Sequence, residues 1–201
     1  MKSDHYITDI EIRHDKKEEV QRFRKLLSDW VNGDTEEGDD EIRWLANLAV
    51  NSGIGKVDSW GEIIVRNMVC GEIGDFVDLR YYGDHTLHIK MVQDIEPAIW
   101  LWRLILAQHM PDGKLSFTSF NRYLDDYITN MPETAGRYCV WDKESGKEYK
   151  NNLSKTELEK ELKAFLKSKG ENIGAVPLEE LIERTEGRYS LDMHIWKYVA
   201  L

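Results

Sequence analysis

The sequence predicts an α+β protein built on an antiparallel sheet. Three observations carry that prediction: an opening strand followed by a strongly periodic helix, a hairpin whose strands alternate apolar and polar residues, and an almost wholly apolar helix that runs into a further strand. In "HYITDIEIRH" Ile10 and Ile12 share one face, with Thr8, Asp9, Glu11 and Arg13 mostly off it. Val20, Phe23, Leu27, Trp30 and Val31 then recur at helical spacing, and Asn32-Gly33 stops the run. Gly38-Asp39-Asp40 reads as loop and cap before a second helix through Ile42, Leu45, Ala46 and Ala49, ending at "NSGIG". In "DSWGEIIVRNMVCGEIGD" the run Ile63 to Val65 fits either a strand or a buried helix, because a short apolar run carries no period.

The hairpin comes next. Val77, Leu79 and Tyr81 alternate with Asp78, Arg80 and Tyr82, Gly83-Asp84 turns the chain, and Leu87, Ile89 and Met91 answer against His88 and Lys90. One apolar face per strand calls for a cover on that side. The cover is the helix after Pro97, whose missing N–H suits a first turn, with Asp94 or Glu96 at its positive end. Ile99, Trp102, Leu106 and Met110 form its stripe, and Trp100, Leu101, Leu104 and Ile105 widen it, so its tryptophans are expected in the core. Pro111-Asp112-Gly113 ends it and "KLSFTSFN" returns as a strand. Strand, helix, strand, strand, helix, strand is the order of the split β-α-β, ferredoxin-like arrangement, here with a helical insertion at about 34–70.

The remainder predicts a C-terminal α/β extension. It holds a short strand at Tyr138 to Trp141, a hairpin turn at Ser145-Gly146 and a capping box from Ser154 to Glu157. A helix follows through Leu158, Leu162, Phe165 and Leu166 to Gly170, then a shorter one from Pro177 to Gly187 through Leu178, Leu181 and Ile182. Leu191, Met193 and Ile195 alternate with Asp192 and His194, and this last strand is expected at an edge of the main sheet. The division implied is a core at 1–142 with its insertion, and a helix pair plus terminal strand at 143–201 packed on it.

Composition narrows function. A chain of 201 residues can bury enough surface to fold without disulfide or metal. A net charge of −10 repels phosphates, which disfavours nucleic acid as a partner and favours a protein with basic surface. Cys70 and Cys139 are far apart and read as buried free thiols, and the charged start "MKSDHYITDIEIRHD" has no apolar signal core, so a cytoplasmic setting is expected. The run Ala98 to Ala107, interrupted by Arg103, is about half the roughly 20 residues that a bilayer span requires.

From Cys70 to Asp142 the chain resembles a group of uncharacterised proteins carried by plasmids, phages and conjugative elements of bacteria. The hairpin "GEIGDFVDLRYYGDHTLHIKM" and the segment "EPAIWLWRLILAQHMPDGKLSF" carry the resemblance, and "YITNMPETAGRYCVWD" is similar to the segment that follows in Bacteroides-type members. The resemblance implies a ferredoxin-like domain and a mobile-element context, with no activity attached. The group's Trp-Gly-Thr-Lys-Trp motif is reduced here to Trp60-Gly61, followed by Glu62.

Few residues suggest chemistry. His85, His88 and Asp84 are of metal-ligand type, but an i,i+3 pair on a strand points to opposite faces. Asp39-Asp40 and Asp125-Asp126 are adjacent acids in polar loops, which read as solvated or capping rather than as an acid–base pair. "GIGKVDSWG" lacks the spacing of a phosphate loop and the hydroxyl after Lys56. Tyr82 and Phe120 lie opposite their strands' core residues, where a sheet could stack bases, although burial favours a covering layer there. The lysines of "KELKAFLKSKG" interleave with Glu157, Glu159 and Glu161 as a solvated face. The leading expectation is a non-enzymatic, cofactor-free accessory protein that binds another protein. The alternatives are a single-stranded nucleic-acid module on the sheet and a metal-dependent hydrolase.

Overall fold

The alternation at the amino end builds the centre of a sheet. In β1 (Tyr6–Arg13) every second side chain, Tyr6, Thr8, Ile10 and Ile12, is buried, and its partners across the ladder continue those rows. The computed structural model describes residues 5–31, 44–72, 75–81, 83–93, 97–122 and 124–201. These form an α+β chain of two compact units, residues 1–126 with Leu201 and residues 127–200. The Gly38-Asp39-Asp40 cap, Ile42, Asp94, Glu96 and Tyr82 lie outside the described residues.

In the first unit β1 is followed by α1 (Lys17–Val31), which buries Val20, Phe23, Leu27 and Val31. After α2 (Leu45–Asn51) comes a ribbon, β2 (Lys56–Val57), β3 (Glu62–Val65) and β4 (Met68–Glu72), paired antiparallel in that order. The ambiguous Ile63 to Val65 run is therefore a strand. Its alternation decides: Ile63 and Val65 are buried, while Glu62 and Ile64 are half-buried on the other side. β5 (Phe76–Tyr81) and β6 (Thr86–Gln93) form the hairpin, α3 (Ile99–His109) follows, and β7 (Lys114–Asn121) returns. The sheet order is β7-β1-β6-β5, and each neighbouring pair is antiparallel.

One face of this sheet is closed by apolar side chains. Ile10 pairs with Ile89 and Phe117, and all three are at most 2% exposed. Thr8 and Ser119, opposite each other in the register, satisfy one another through a buried hydroxyl contact of 2.7 Å. Trp102 of α3 is fully buried and its Nε1–H donates to Sδ of Met91 on β6 at 2.9 Å. Burial of such a side chain stabilises by roughly 2–3 kcal/mol. Trp100 departs from the expected core position and is half-buried, and Arg103, Ala107 and Gln108 give the helix a solvent stripe. Pro97 stands ahead of α3 rather than in its first turn. The capping acceptor is Oε1 of Gln93, which takes the Ala98 N–H at 3.1 Å.

The second unit opens with the end of β8 (Asp126–Thr129) and has its own sheet and core. β9 (Tyr138–Asp142) lies between β10 (Lys147–Leu153) and β11 (Leu191–Ile195). The expected place of β11, at an edge of the main sheet, is thus corrected: Leu191 to Ile195 pairs with Asp142 to Tyr138. Only β12 (Lys197–Tyr198) runs beside β8, in parallel. Leu158, Leu162 and Leu166 of α4 (Lys155–Ser168) pack with Leu178 and Leu181 of α5 (Leu178–Tyr189), Val140 and Leu191. The Ser154–Glu157 capping box forms as read from the sequence. Gly187 does not end α5, which continues to Tyr189. That last residue is anchored by its hydroxyl on Glu171 at 2.8 Å and by edge contact with the Phe165 ring.

Candidate functional site

Strand pairing sets the second face of the first unit's sheet into four rows. Phe76, Val92, Ile7 and Phe120 make an apolar row across β5, β6, β1 and β7. Asp78, Lys90, Asp9 and Thr118 make the next, then Arg80, His88, Glu11 and Ser116, and finally Thr86, Arg13 and Lys114. Arg80 pairs with Asp78 at 2.7 Å, and Glu11 takes both Arg13 at 2.5 Å and His88 at 3.5 Å. The face is a lattice of alternating charge with an apolar border. Its carboxylates at positions 9, 11 and 78 oppose a phosphate backbone laid along the strands.

The residues singled out from the sequence scatter over this region. Phe120 is half-buried in the apolar row. Asp84 is held by Lys17 at 2.7 Å, and that hydrogen bond draws its carboxyl below the usual range. His85 sits in the turn before β6 with Nδ1 at 3.2 Å from the carbonyl oxygen of His14, while His88 lies on the strand against Glu11. The three do not converge, and among the described residues no group of three or more His, Cys, Asp and Glu is placed to hold a metal ion. Asp126 accepts a hydrogen bond from the Tyr6 hydroxyl at 3.0 Å, which gives one of the adjacent acids a structural partner.

The ribbon presents a different surface. Asp58 Oδ1 accepts the N–H groups of Trp60 at 2.8 Å and Glu62 at 3.0 Å, and Gly61 adopts φ 81°. This side-chain-closed turn needs a short acceptor at position 58 and a residue free to take positive φ at 61. It leaves Trp60 at the tip, 86% exposed. Val57, Met68 and Val69 are also exposed on the same ribbon, while Ile63, Val65 and Cys70 are buried. Periodicity cannot single out Trp60, because a lone aromatic in a turn belongs to no apolar stripe; the available signal is the Asp-x-x-Gly turn around it.

The ribbon is anchored at its far end by a buried carboxylate. Asp75 is 2% exposed, accepts the Glu72 N–H on Oδ2 at 2.9 Å, and offers its carbonyl to the Leu45 N–H that begins α2. Burial pushes its carboxyl above the ordinary range. Burial, with the Asp75 charge adding to it, also pushes the Cys70 thiol up to about 12, so this sulfur is a packed group rather than a nucleophile. Cys139 is likewise buried and in no disulfide.

The described part of the chain is thus an α+β protein with an open charged sheet face and an aromatic-tipped ribbon. No helix among the described residues is long and apolar enough to cross a membrane. Compared with protein-family models, curated proteins and solved structures, the chain finds no match in any of the three.

Proposed function

We propose that this chain is a non-enzymatic interaction protein that docks a partner protein through the β2–β4 ribbon. The observation that carries this reading is Trp60, held outward by its turn and accompanied by exposed Val57, Met68 and Val69. A large indole in solvent gains little for the free protein, whereas tryptophan is enriched among the residues that dominate binding energy at interfaces. The partner we assign is a protein with a basic surface and an apolar slot for the indole. Its charge follows from the net −10 of the chain, and from the stretch 34–43, where six acids accompany the single Arg43.

Strand order β7-β1-β6-β5, with antiparallel pairing throughout, supports reading the first unit as a ferredoxin-like split β-α-β domain with the ribbon as its insertion. The mobile-element context and the cytoplasmic setting rest on the sequence resemblance and on two cysteines outside any disulfide. The carboxylates at positions 9, 11 and 78 count against single-stranded nucleic acid as the occupant of the sheet face.

The test compares affinity capture from a bacterial lysate by the wild-type chain and by Trp60→Ala, at low and moderate salt. A partner of basic isoelectric point, retained by the wild type, lost with Trp60→Ala and weakened by salt, is the expected result. Recovery of the same proteins by both chains sinks the reading, as does recovery of none.

A further inference from the structure

The end of the sheet away from the apolar row is cationic, and ribbon docking makes no use of it. Thr86, Arg13 and Lys114 stand side by side on three neighbouring strands. With His14, Asp15 and His85 they line an open concavity of about 490 Å³. A space of that size admits a small molecule rather than a lone ion.

The hydrogen-bonding roles around it can be assigned. His14 is 9% exposed, and its Nδ1 lies 2.9 Å from the Lys16 N–H, closer than the 3.3 Å to that residue's carbonyl oxygen. The shorter contact makes Nδ1 an acceptor, so the neutral ring carries its proton on Nε2, which has no partner among the described residues. His85 Nδ1 faces a carbonyl oxygen that can only accept, so it donates there. Lys114 makes no ion pair among the described residues. Arg13 commits Nε to Glu11 at 2.5 Å and keeps its two terminal nitrogens. The opposing charges are Asp15 in the concavity, Glu11 on Arg13, Asp84 beside His85 and tied to Lys17 at 2.7 Å, and Glu18 and Glu19 in the first turn of α1, the latter tied to Arg22 at 2.7 Å. α1 begins just beyond at Lys17, and its N-terminal end adds positive potential.

From this arrangement we infer a binding site for a tetrahedral oxyanion, the phosphate group of a small phosphorylated molecule. A guanidinium, an ammonium, an imidazole N–H and the Thr86 hydroxyl line one hollow from three neighbouring strands, β6, β1 and β7, and from the β1–α1 corner. That spread of donors suits several oxygens pointing in different directions better than the two of a planar carboxylate. A metal cation would meet Arg13 and Lys114 instead of ligands.

Calorimetry and imidazole NMR of the full chain, titrated with inorganic phosphate at constant ionic strength, test this. Saturable binding that moves the His14 and His85 resonances is expected. Lys114→Ala and Lys114→Gln each weaken it by about tenfold, the usual weight of a charged hydrogen bond. Lys90→Ala, on the same face but two rows away, leaves it unchanged, and circular dichroism confirms that each variant is folded. The inference is overturned if chloride at matched ionic strength produces the same shifts, or if folded Lys114 variants bind as the wild type does. Acetate binding as tightly as phosphate overturns the tetrahedral assignment. None of these outcomes bears on capture through Trp60.

Discussion

The described residues form two small three-stranded antiparallel sheets, and they are finished differently. β10-β9-β11 is backed by two helices of 14 and 12 residues, whose leucines close over Val140 and Leu191. Its exposed edge strand, β10, carries Lys147, Glu148 and Lys150, charges that discourage further strand pairing. β2-β3-β4 packs against the seven-residue α2 and shows Val57, Met68, Val69 and Trp60 to solvent. The first sheet closes a leucine core over one face, whereas the second buries Ile63, Val65 and Cys70 and keeps an apolar group outside. The second unit also exposes Tyr149, Ile195 and Tyr198, at 41%, 47% and 55%, but none of its large hydrophobic side chains reaches the 86% of Trp60, which is why the ribbon is assigned the docking role.

Four experiments can break or sharpen that contrast. The largest effect is expected at Leu162, fully packed in the α4–α5 core, where Leu162→Ala should cost about 3 kcal/mol in chemical denaturation. A loss below about 1 kcal/mol would mean that the helical cover is loose and the contrast overstated. Ser154→Ala should cost about 1 kcal/mol by removing the cap of α4. The Ser154 contacts hold the Glu157 carboxyl below its ordinary value of 4.5. The box's contribution is therefore fully present above that value and is lost as pH falls through the lower folded value, so the wild-type and Ser154→Ala stabilities should converge in acid.

On the ribbon side the sign reverses. The Asp75 carboxyl sits above its ordinary 3.8, so folding disfavours its charged form. Its relative stabilisation is complete below 3.8 and is lost as pH rises through the folded value. Asp75→Asn keeps an oxygen acceptor for the Glu72 N–H and should raise the thermal midpoint at neutral pH, with the gain shrinking on acidification. A midpoint that falls at neutral pH and not in acid would show that the charge itself holds the ribbon to α2. The smallest effect is expected for Trp60→Ala, within about 0.5 kcal/mol of the wild type, because the side chain touches little. A larger loss would make Trp60 a packing residue and remove the case for docking.

Much of the first unit was legible because its periods are clean. Val20, Phe23 and Leu27 mark one helical face, and the alternation in Val77 to Tyr81 and Leu87 to Met91 marks one sheet face. What escaped was structure with too few residues to show a period, such as the two-residue β2 and β12, and Ile63 to Val65, where three apolar neighbours suit either state. Gly187 signals an end that α5 passes, since the contacts that carry the helix to Tyr189 come from Glu171 and Phe165 earlier in the chain. The two surfaces were legible only in part. His85 is legible as a ligand type, but its neighbours Arg13, His14 and Lys114 come from other strands and corners, and their meeting is a product of register.

The exposure of Trp60 has a spectroscopic use. Trp30, Trp44 and Trp100 are half-buried and Trp102, Trp141 and Trp196 are buried, so a single indole of the seven sits in water. Iodide should quench that fluorophore first, at the red edge of the emission band. Any molecule that settles over the ribbon will shift the band to the blue and shield it from the quencher, so the unlabelled protein reports its own occupancy.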